Sequence, residues 1–280
     1  MGALKKVAIG VLMVSIIAVL SACSSDQDGK SAATKKVEDT ISISGSTSVG
    51  PLAEKLAYKY EENHDVNIEI NQIGSSAGIT NTIKGVSEIG LSSRDLKPEE
   101  KESGLKETVI AYDGIVVVIH PSNKVGNLTT KQVKQIFTGK ITNWNELGGD
   151  DKEIVVVSRE DGSGSRDAFQ EIVNYTSGEL DKKSIIASGN GNIKTTVAMN
   201  EHAIGFISFE YIDDSISPVR IDGIKPTVEN VLQQKYKLSR PFLFVHKEDQ
   251  QSEAGQQFID YILSSEGQAI VSESGAIPVK

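Results

Sequence analysis

Three short stretches of this chain combine glycine with small hydroxyl-bearing residues. They are Ser44-Gly45-Ser46-Thr47-Ser48-Val49-Gly50, Gly74-Ser75-Ser76-Ala77-Gly78 and Asp161-Gly162-Ser163-Gly164-Ser165-Arg166. Each follows a β-rich segment and precedes a helical one. The first N–H groups of a helix have no intrahelical acceptor, and the helix dipole places partial positive charge there, so a strand-to-helix loop of small residues lets an oxyanion approach closely. Arg159, just before the third loop, adds a permanent cation with forked donors that match a tetrahedral oxyanion. Any single loop of this kind is ordinary turn and cap chemistry. Three at the same structural step, with an arginine beside one of them, point to anion binding.

Rival chemistries fit less of the pattern. The second loop also reads Gly-x-Ser-x-Gly, which puts Ser76 in the nucleophile position of a serine-hydrolase elbow. A hydrolase needs a later carboxylate and a histidine base, and His120, His202 and His246 have no distinctive setting. Ser76→Ala separates the two readings, since it abolishes turnover only in a hydrolase. Metal binding is disfavoured because the four histidines, at 64, 120, 202 and 246, show no ligand spacing. No phosphate-loop Gly-x-x-x-x-Gly-Lys-Ser/Thr occurs. Trp144, the single tryptophan, reads as packing under a turn.

The elements that must position the loops follow from periodicity. Ile41 to Ser44 alternates as a strand, and the next helix places Leu52, Leu56 and Tyr60 on one face, with Pro51 in its first turn. Val66 to Ile70 alternates again, Ile79 and Ile83 suggest a helix ending at Gly85, and Ile89 to Ser92 is a third strand. The opening is therefore βαβαβ, which implies a mainly parallel sheet with ligands beyond the carboxyl ends of its strands. Val109 to His120 is apolar for longer than one ordinary strand needs and suits a crossing between two lobes. A second βα pattern follows, with a helix over Lys131 to Phe137, strands over Ile154 to Ser158 and Ala203 to Phe209, and a helix after the third loop that buries Phe169, Ile172 and Val173. Phe242 to His246 reads as another apolar crossing, and Phe258, Ile259, Ile262 and Leu263 recur at helical spacing in the tail.

Residues 1–22 have the form of a signal peptide, with Lys5 and Lys6 before an apolar core from Val7 to Leu20. A transmembrane anchor or a plain secretory signal is the alternative, but the single cysteine, Cys23, stands at the cleavage point. Leu20-Ser21-Ala22-Cys23 resembles a bacterial lipobox, which implies lipid on Cys23 and a mature protein outside the cytoplasm. The polar stretch after it reads as a flexible tether, residues 23–39. The chain carries 29 basic and 38 acidic residues; without residues 1–22 it has 27 basic against 38 acidic, a net charge of −11. Interspersed charges of this balance exclude a nucleic-acid partner. They do not exclude an anion site, whose local field is set by near dipoles and one arginine.

Taken together, Gly45-Ser46-Thr47-Ser48, Gly74-Ser75-Ser76-Ala77-Gly78, Ile89-Gly90-Leu91-Ser92-Ser93-Arg94, Phe137-Thr138-Gly139-Lys140-Ile141-Thr142-Asn143-Trp144, Arg159-Glu160-Asp161-Gly162-Ser163-Gly164-Ser165, Leu238-Ser239-Arg240-Pro241-Phe242 and Glu266-Gly267-Gln268 resemble a known family. It is that of the phosphate-binding lipoproteins of bacterial ABC phosphate importers, a branch of the type II periplasmic-binding-protein fold. The resemblance implies an α/β chain of two lobes, each a mainly parallel sheet flanked by helices, with the ligand cleft between them. Residues 40–115 and 237–280 would form one lobe and 116–236 the other. It implies a monomeric, non-enzymatic binder without metal or cofactor, lipid-anchored on the outer face of the cell membrane, that captures inorganic phosphate and delivers it to membrane permease subunits.

The family's binding positions fall on Thr47, Ser48, Ser75, Ser93, Arg159, Ser163, Gly164 and Ser165. The place of Ser93 is an aspartate in the best-known members, where it accepts a hydrogen bond from the protonated phosphate, a contact sulfate cannot make. A hydroxyl both accepts and donates, so it repels sulfate less. Asp113, at the lobe crossing, is the first candidate for a carboxylate that restores selectivity, and Asp161 is expected to pair with Arg159. Sulfate, molybdate or a phosphonate remain alternative ligands of the same architecture.

Overall fold

The computed structural model describes residues 39–279. The signal peptide at 1–22, lipidation at Cys23 and the tether lie outside the described residues, except that Asp39 already belongs to the first strand. The opening runs β1 (Asp39–Gly45), α1 (Gly50–Glu61), β2 (Val66–Gln72), α2 (Ser75–Ile83) and β3 (Ile89–Ser92), followed by α3 (Pro98–Lys101) and β4 (Lys106–Ile119). Next come β5 (Asn127–Leu128), α4 (Thr130–Phe137), β6 (Val155–Arg159), α5 (Gly164–Val173), β7 (Ile185–Ala187), α6 (Gly189–Ala198) and β8 (Ala203–Ser208). The chain ends with β9 (Ser217–Pro218), β10 (Arg220–Ile221), α7 (Val228–Leu232), β11 (Ser239–His246), α8 (Glu253–Leu263) and α9 (Ser265–Glu273).

Local chemistry sets several of these boundaries. α1 buries Leu52, Ala53, Leu56, Ala57 and Tyr60 along one face and carries Pro51 in its first turn, where no intrahelical hydrogen bond is lost. Thr129 and Gln132 close α4 with a reciprocal capping box. The apolar periodicity of the tail resolves into two helices, because Ser264 is extended and its hydroxyl accepts from the Gly267 amide, ending α8 and capping α9.

The strands form one nine-stranded sheet in the order β2-β1-β3-β11-β4-β8-β6-β7, with β9 beside β4, and β10 pairs with β5 separately. Its flanks are parallel: β1 with β2 and β3, β6 with β7 and β8. Its middle is antiparallel, where β11 joins β3 to β4 and β4 continues to β8. The long apolar run is thus one 14-residue strand whose first part pairs with β11 and whose last part, from Ile115, pairs with β8. Two large apolar clusters flank this line. One gathers residues from Ile41 to Ala111 with Phe242 to Ala276; the other gathers Ile115 to Leu238 with Ile277. Within the apolar part of β11, Phe242 and Phe244 belong to the first cluster, while Leu243 and Val245 pack on the other face with Ile79 and Leu96; the chain passes to the second cluster just before Phe242, where Ile115 N donates to Leu238 O.

Candidate functional site

The three hydroxyl loops stand at the carboxyl ends of β1, β2 and β6, and Ser93 follows β3 directly. Ser75 is the first residue of α2, and Ser163 is the N-cap of α5, where its Oγ accepts from the Arg166 amide at 3.3 Å. α2 sits directly on β1 at this end. A Cβ added to Gly78 would stand 2.4 Å from Gly45 Cα, so only glycine permits the approach.

These pieces converge. Ser46, Ser48, Ser75, Ser93, Arg159, Ser163 and Ser165 are each no more than 2% exposed, and Thr47 is half-buried. Ser48 Oγ and Ser165 Oγ share a hydrogen bond of 2.8 Å across 117 residues of sequence. Arg159 Nη2 donates to Thr47 Oγ1 at 2.8 Å, so the first and third loops are joined twice. Ser46 Oγ donates to Ser93 Oγ at 2.9 Å, and the Ser93 amide donates to Ser75 Oγ at 3.2 Å. A Cβ on Gly164 would lie 2.2 Å from Ser75 Oγ and 2.7 Å from Ser93 Oγ; the start of α5 therefore presses against the second loop with no room for a side chain.

All eight anion-binding candidates therefore lie in one cluster of hydroxyls beside the Arg159 guanidinium, buried except for the half-buried Thr47. Arg159 Nη1 is buried without a hydrogen-bond partner. The amides of Ser75, Gly164 and Ser165 are first-turn N–H groups, for which no intrahelical carbonyl exists. The Ser48 amide, by contrast, donates to Ser46 Oγ at 3.1 Å.

Both carboxylate expectations need correction. Asp161 does not pair with Arg159; it is exposed and meets Arg166 Nη1 at 2.7 Å, because the first turn of α5 brings that arginine back over the loop. The partner of Arg159 is Glu160, which accepts from Nε and Nη2 at 2.8 Å each and from the Gly189 amide at 3.3 Å. Burial works to raise the Glu160 carboxyl, but the guanidinium outweighs it and holds it below the usual carboxylate range.

Asp113, the selectivity candidate, is fully engaged elsewhere. Its Oδ2 accepts from Arg240 Nε and Nη2 at 3.2 and 2.9 Å, and its Oδ1 from Ser208 Oγ and the Phe209 amide at 2.8 and 3.2 Å. It reaches the cluster only through intermediaries: the Ser208 amide donates to Asn190 Oδ1, and Asn190 Nδ2 donates to Ser48 Oγ at 2.9 Å. Asp113 therefore makes no hydrogen bond to any of the eight candidate residues. Close by, burial and then the Asp113 charge push the Glu210 carboxyl up to about 8, and its Oε1 is buried without a partner.

Comparison with known proteins agrees with this geometry. The PBP superfamily domain matches residues 30–266. The phosphate-binding protein PstS of Bacillus subtilis is 32% identical, covering 98% of this chain and 94% of the relative. The chain belongs to the PstS family. Among solved PstS-like structures, a putative phosphate ABC transporter substrate-binding protein from Clostridium perfringens, solved with bound phosphate, is 60% identical with a TM-score of 0.85, covering 86% of this chain and all of that one. An ABC-type phosphate transport receptor from Vibrio cholerae is 36% identical with a TM-score of 0.75, covering 85% of this chain and 99% of that one.

PstS proteins are extracytoplasmic binding proteins rather than enzymes, and the surroundings of Ser76 accord with that. Its Oγ accepts from Arg94 Nη2 at 3.2 Å. The histidines that have side-chain partners find them away from Ser76: His64 stacks on Tyr60 and His120 bonds Ser122, while His246 stands opposite Ile89, at the end of β3 away from Ser93, with its Nδ1 buried and unpartnered. Trp144 is 2% exposed, as expected of a packing residue. Sequence reasoning missed three residues that bond members of this cluster. Ser46 stood inside a quoted loop, Glu160 inside the arginine motif, and Asn190 in a helix start, Ser188-Gly189-Asn190, that had gone unremarked.

Proposed function

We propose that the buried hydroxyl cluster captures inorganic phosphate and that the protein delivers it to the membrane permease of an ABC importer. The observation that carries this reading is the meeting of three helix-start loops beside Arg159, whose Nη1 has no partner in the protein and next to which the first-turn amides of Ser75, Gly164 and Ser165 have no intrahelical acceptor. Thr47, Ser48, Ser75, Ser93, Ser163 and Ser165 would donate hydroxyls, Gly164 and Ser165 amides, and Arg159 the formal charge. In a dry site such charge-assisted bonds hold a dianion without a metal. The Bacillus subtilis relative is a phosphate-binding protein, and the Clostridium perfringens structure holds bound phosphate.

Capture would close the half built around the first apolar cluster onto the half built around the second, by hinging where β4 and the chain before β11 cross between them. The closed form is what a permease would recognise. Lipid on Cys23 and the polar stretch that follows would hold the protein, as a monomer, at the outer face of the membrane and raise its local concentration beside that permease.

Titration calorimetry with phosphate, with and without excess sulfate, tests the ligand. Tight one-to-one binding of phosphate that survives sulfate is expected. Tighter binding of sulfate than of phosphate, or no binding of either, overturns the assignment.

A further inference from the structure

Arg94 belongs to a quoted motif, follows Ser93 directly, and has no part in the cluster just described. It is 3% exposed and uses its whole fork. Nη1 and Nη2 donate to Glu100 at 2.7 and 2.8 Å, Nη1 also donates to Asp95 O, Nη2 to Ser76 Oγ, and Nε to Asp167 Oδ2 at 3.0 Å. Asp95, Glu100 and Ser76 lie on Arg94's own side of the molecule, while Asp167 lies on α5, whose Ala168, Phe169 and Val173 pack in the other apolar cluster. Nε is thus the one arm that reaches across. Beside it, the Ser76 amide donates to Gly162 O at 3.2 Å, and the exposed Lys97 Nζ lies 3.3 Å from Asp167 Oδ2.

We propose that the Arg94–Asp167 pair is a latch that sets how long the bound anion is held, acting on release rather than on capture. The inference rests on the phosphate reading above. Asp167 stands three residues after Gly164, so the start of α5 cannot leave Ser75 and Ser93 without parting Asp167 from Arg94. The Glu100 fork holds Arg94 in place on its own side, and a preorganised donor loses little freedom when its partner arrives. A contact made only when the two sides meet stabilises the assembled state, and such effects appear chiefly in the dissociation rate.

Stopped-flow measurement of phosphate capture and release tests the latch, with wild type, Asp167→Asn and Asp167→Glu at low and high salt. Asp167→Asn is expected to release phosphate about tenfold faster, roughly 1.4 kcal/mol, while its capture rate stays within about twofold of wild type. Asp167→Glu restores most of the difference, because the carboxylate is kept. Salt narrows the gap between wild type and Asp167→Asn, since Asp167 is partly exposed and the pair is screened. Unchanged or slower release in Asp167→Asn overturns the latch; slower release would mean that Asp167 acts mainly by repelling the anion. Equal changes in capture and release, or a gap that salt leaves untouched, overturn it too. A wild type that binds no phosphate overturns the phosphate reading as well, whereas a binding wild type with unaltered release in Asp167→Asn overturns the latch alone.

Discussion

Arg159 and Arg240 are both buried to within a few per cent, yet their surroundings differ in kind. Arg240 faces Asp113, whose side chain is 2% exposed, and its guanidinium lies 5.6 Å from the centre of the Phe242 ring. Charge is balanced there inside the protein, at the line where the two apolar clusters meet. Arg159 has its carboxylate to one side, on the partly exposed Glu160, and turns its remaining edge toward Thr47 and the hydroxyl cluster. A buried arginine with a buried counterion holds a fold together. One whose counterion sits at the rim, and whose neighbours are neutral hydroxyls, is placed to receive negative charge from outside.

Asp113→Asn should separate the two most sharply. It leaves the Arg240 charge buried and unpaired, a change that costs about 3–5 kcal/mol. Denaturant unfolding should show that loss, while the ratio of phosphate to sulfate affinity stays as in wild type; a changed ratio would return Asp113 to the binding site.

Arg159→Gln should do the opposite. Two or more charge-assisted bonds to the ligand vanish, so calorimetry should show phosphate affinity falling about 100-fold, near 3 kcal/mol, with stability of the free protein shifted by less than about 1 kcal/mol, since Glu160 can turn to solvent. Unfolding as severe as that of Asp113→Asn would erase the distinction.

The smallest effect belongs to Glu210, beside the structural pair. Burial and Asp113 raise its folded-state carboxyl to about 8 from an ordinary 4.5, so the folded protein holds a proton that the unfolded chain releases. The associated stability is fully present below about pH 4.5 and is lost as pH rises through about 8. The thermal midpoint of wild type should therefore fall more steeply between pH 6 and pH 9 than that of Glu210→Gln. Parallel profiles would show that Glu210 carries no such proton.

Much of the binding cluster was readable because its signals are local. A strand, a small-residue loop and a helix start occupy a dozen residues, and three such units announce where unpaired amides must lie. The carboxylates were not readable for the same reason. Asp113 meets Arg240 because antiparallel pairing of β4 with β11 sets them directly opposite each other across 127 positions. Nothing near Asp113 in sequence signals that register. Glu160 and Asp161 are adjacent and chemically alike, and which one takes Arg159 depends on how the chain leaves β6 and where α5 returns Arg166. The antiparallel middle of the sheet was hidden likewise, since the opening βαβαβ pattern speaks only for the parallel flank.

The placement of β11 also governs the order in which this chain can fold. β11 lies between β3 and β4, so the sheet stays split until residues 239–246 arrive, and the first apolar cluster lacks Phe242 and Phe244 until then and Phe258 until α8 follows. The second cluster needs almost nothing from beyond Leu238. As the chain folds, its middle can collapse early while the amino-terminal segment waits for the carboxyl-terminal one. Such high contact order makes for slow final closure, and it leaves β3 without its β11 neighbour until the carboxyl-terminal segment has docked.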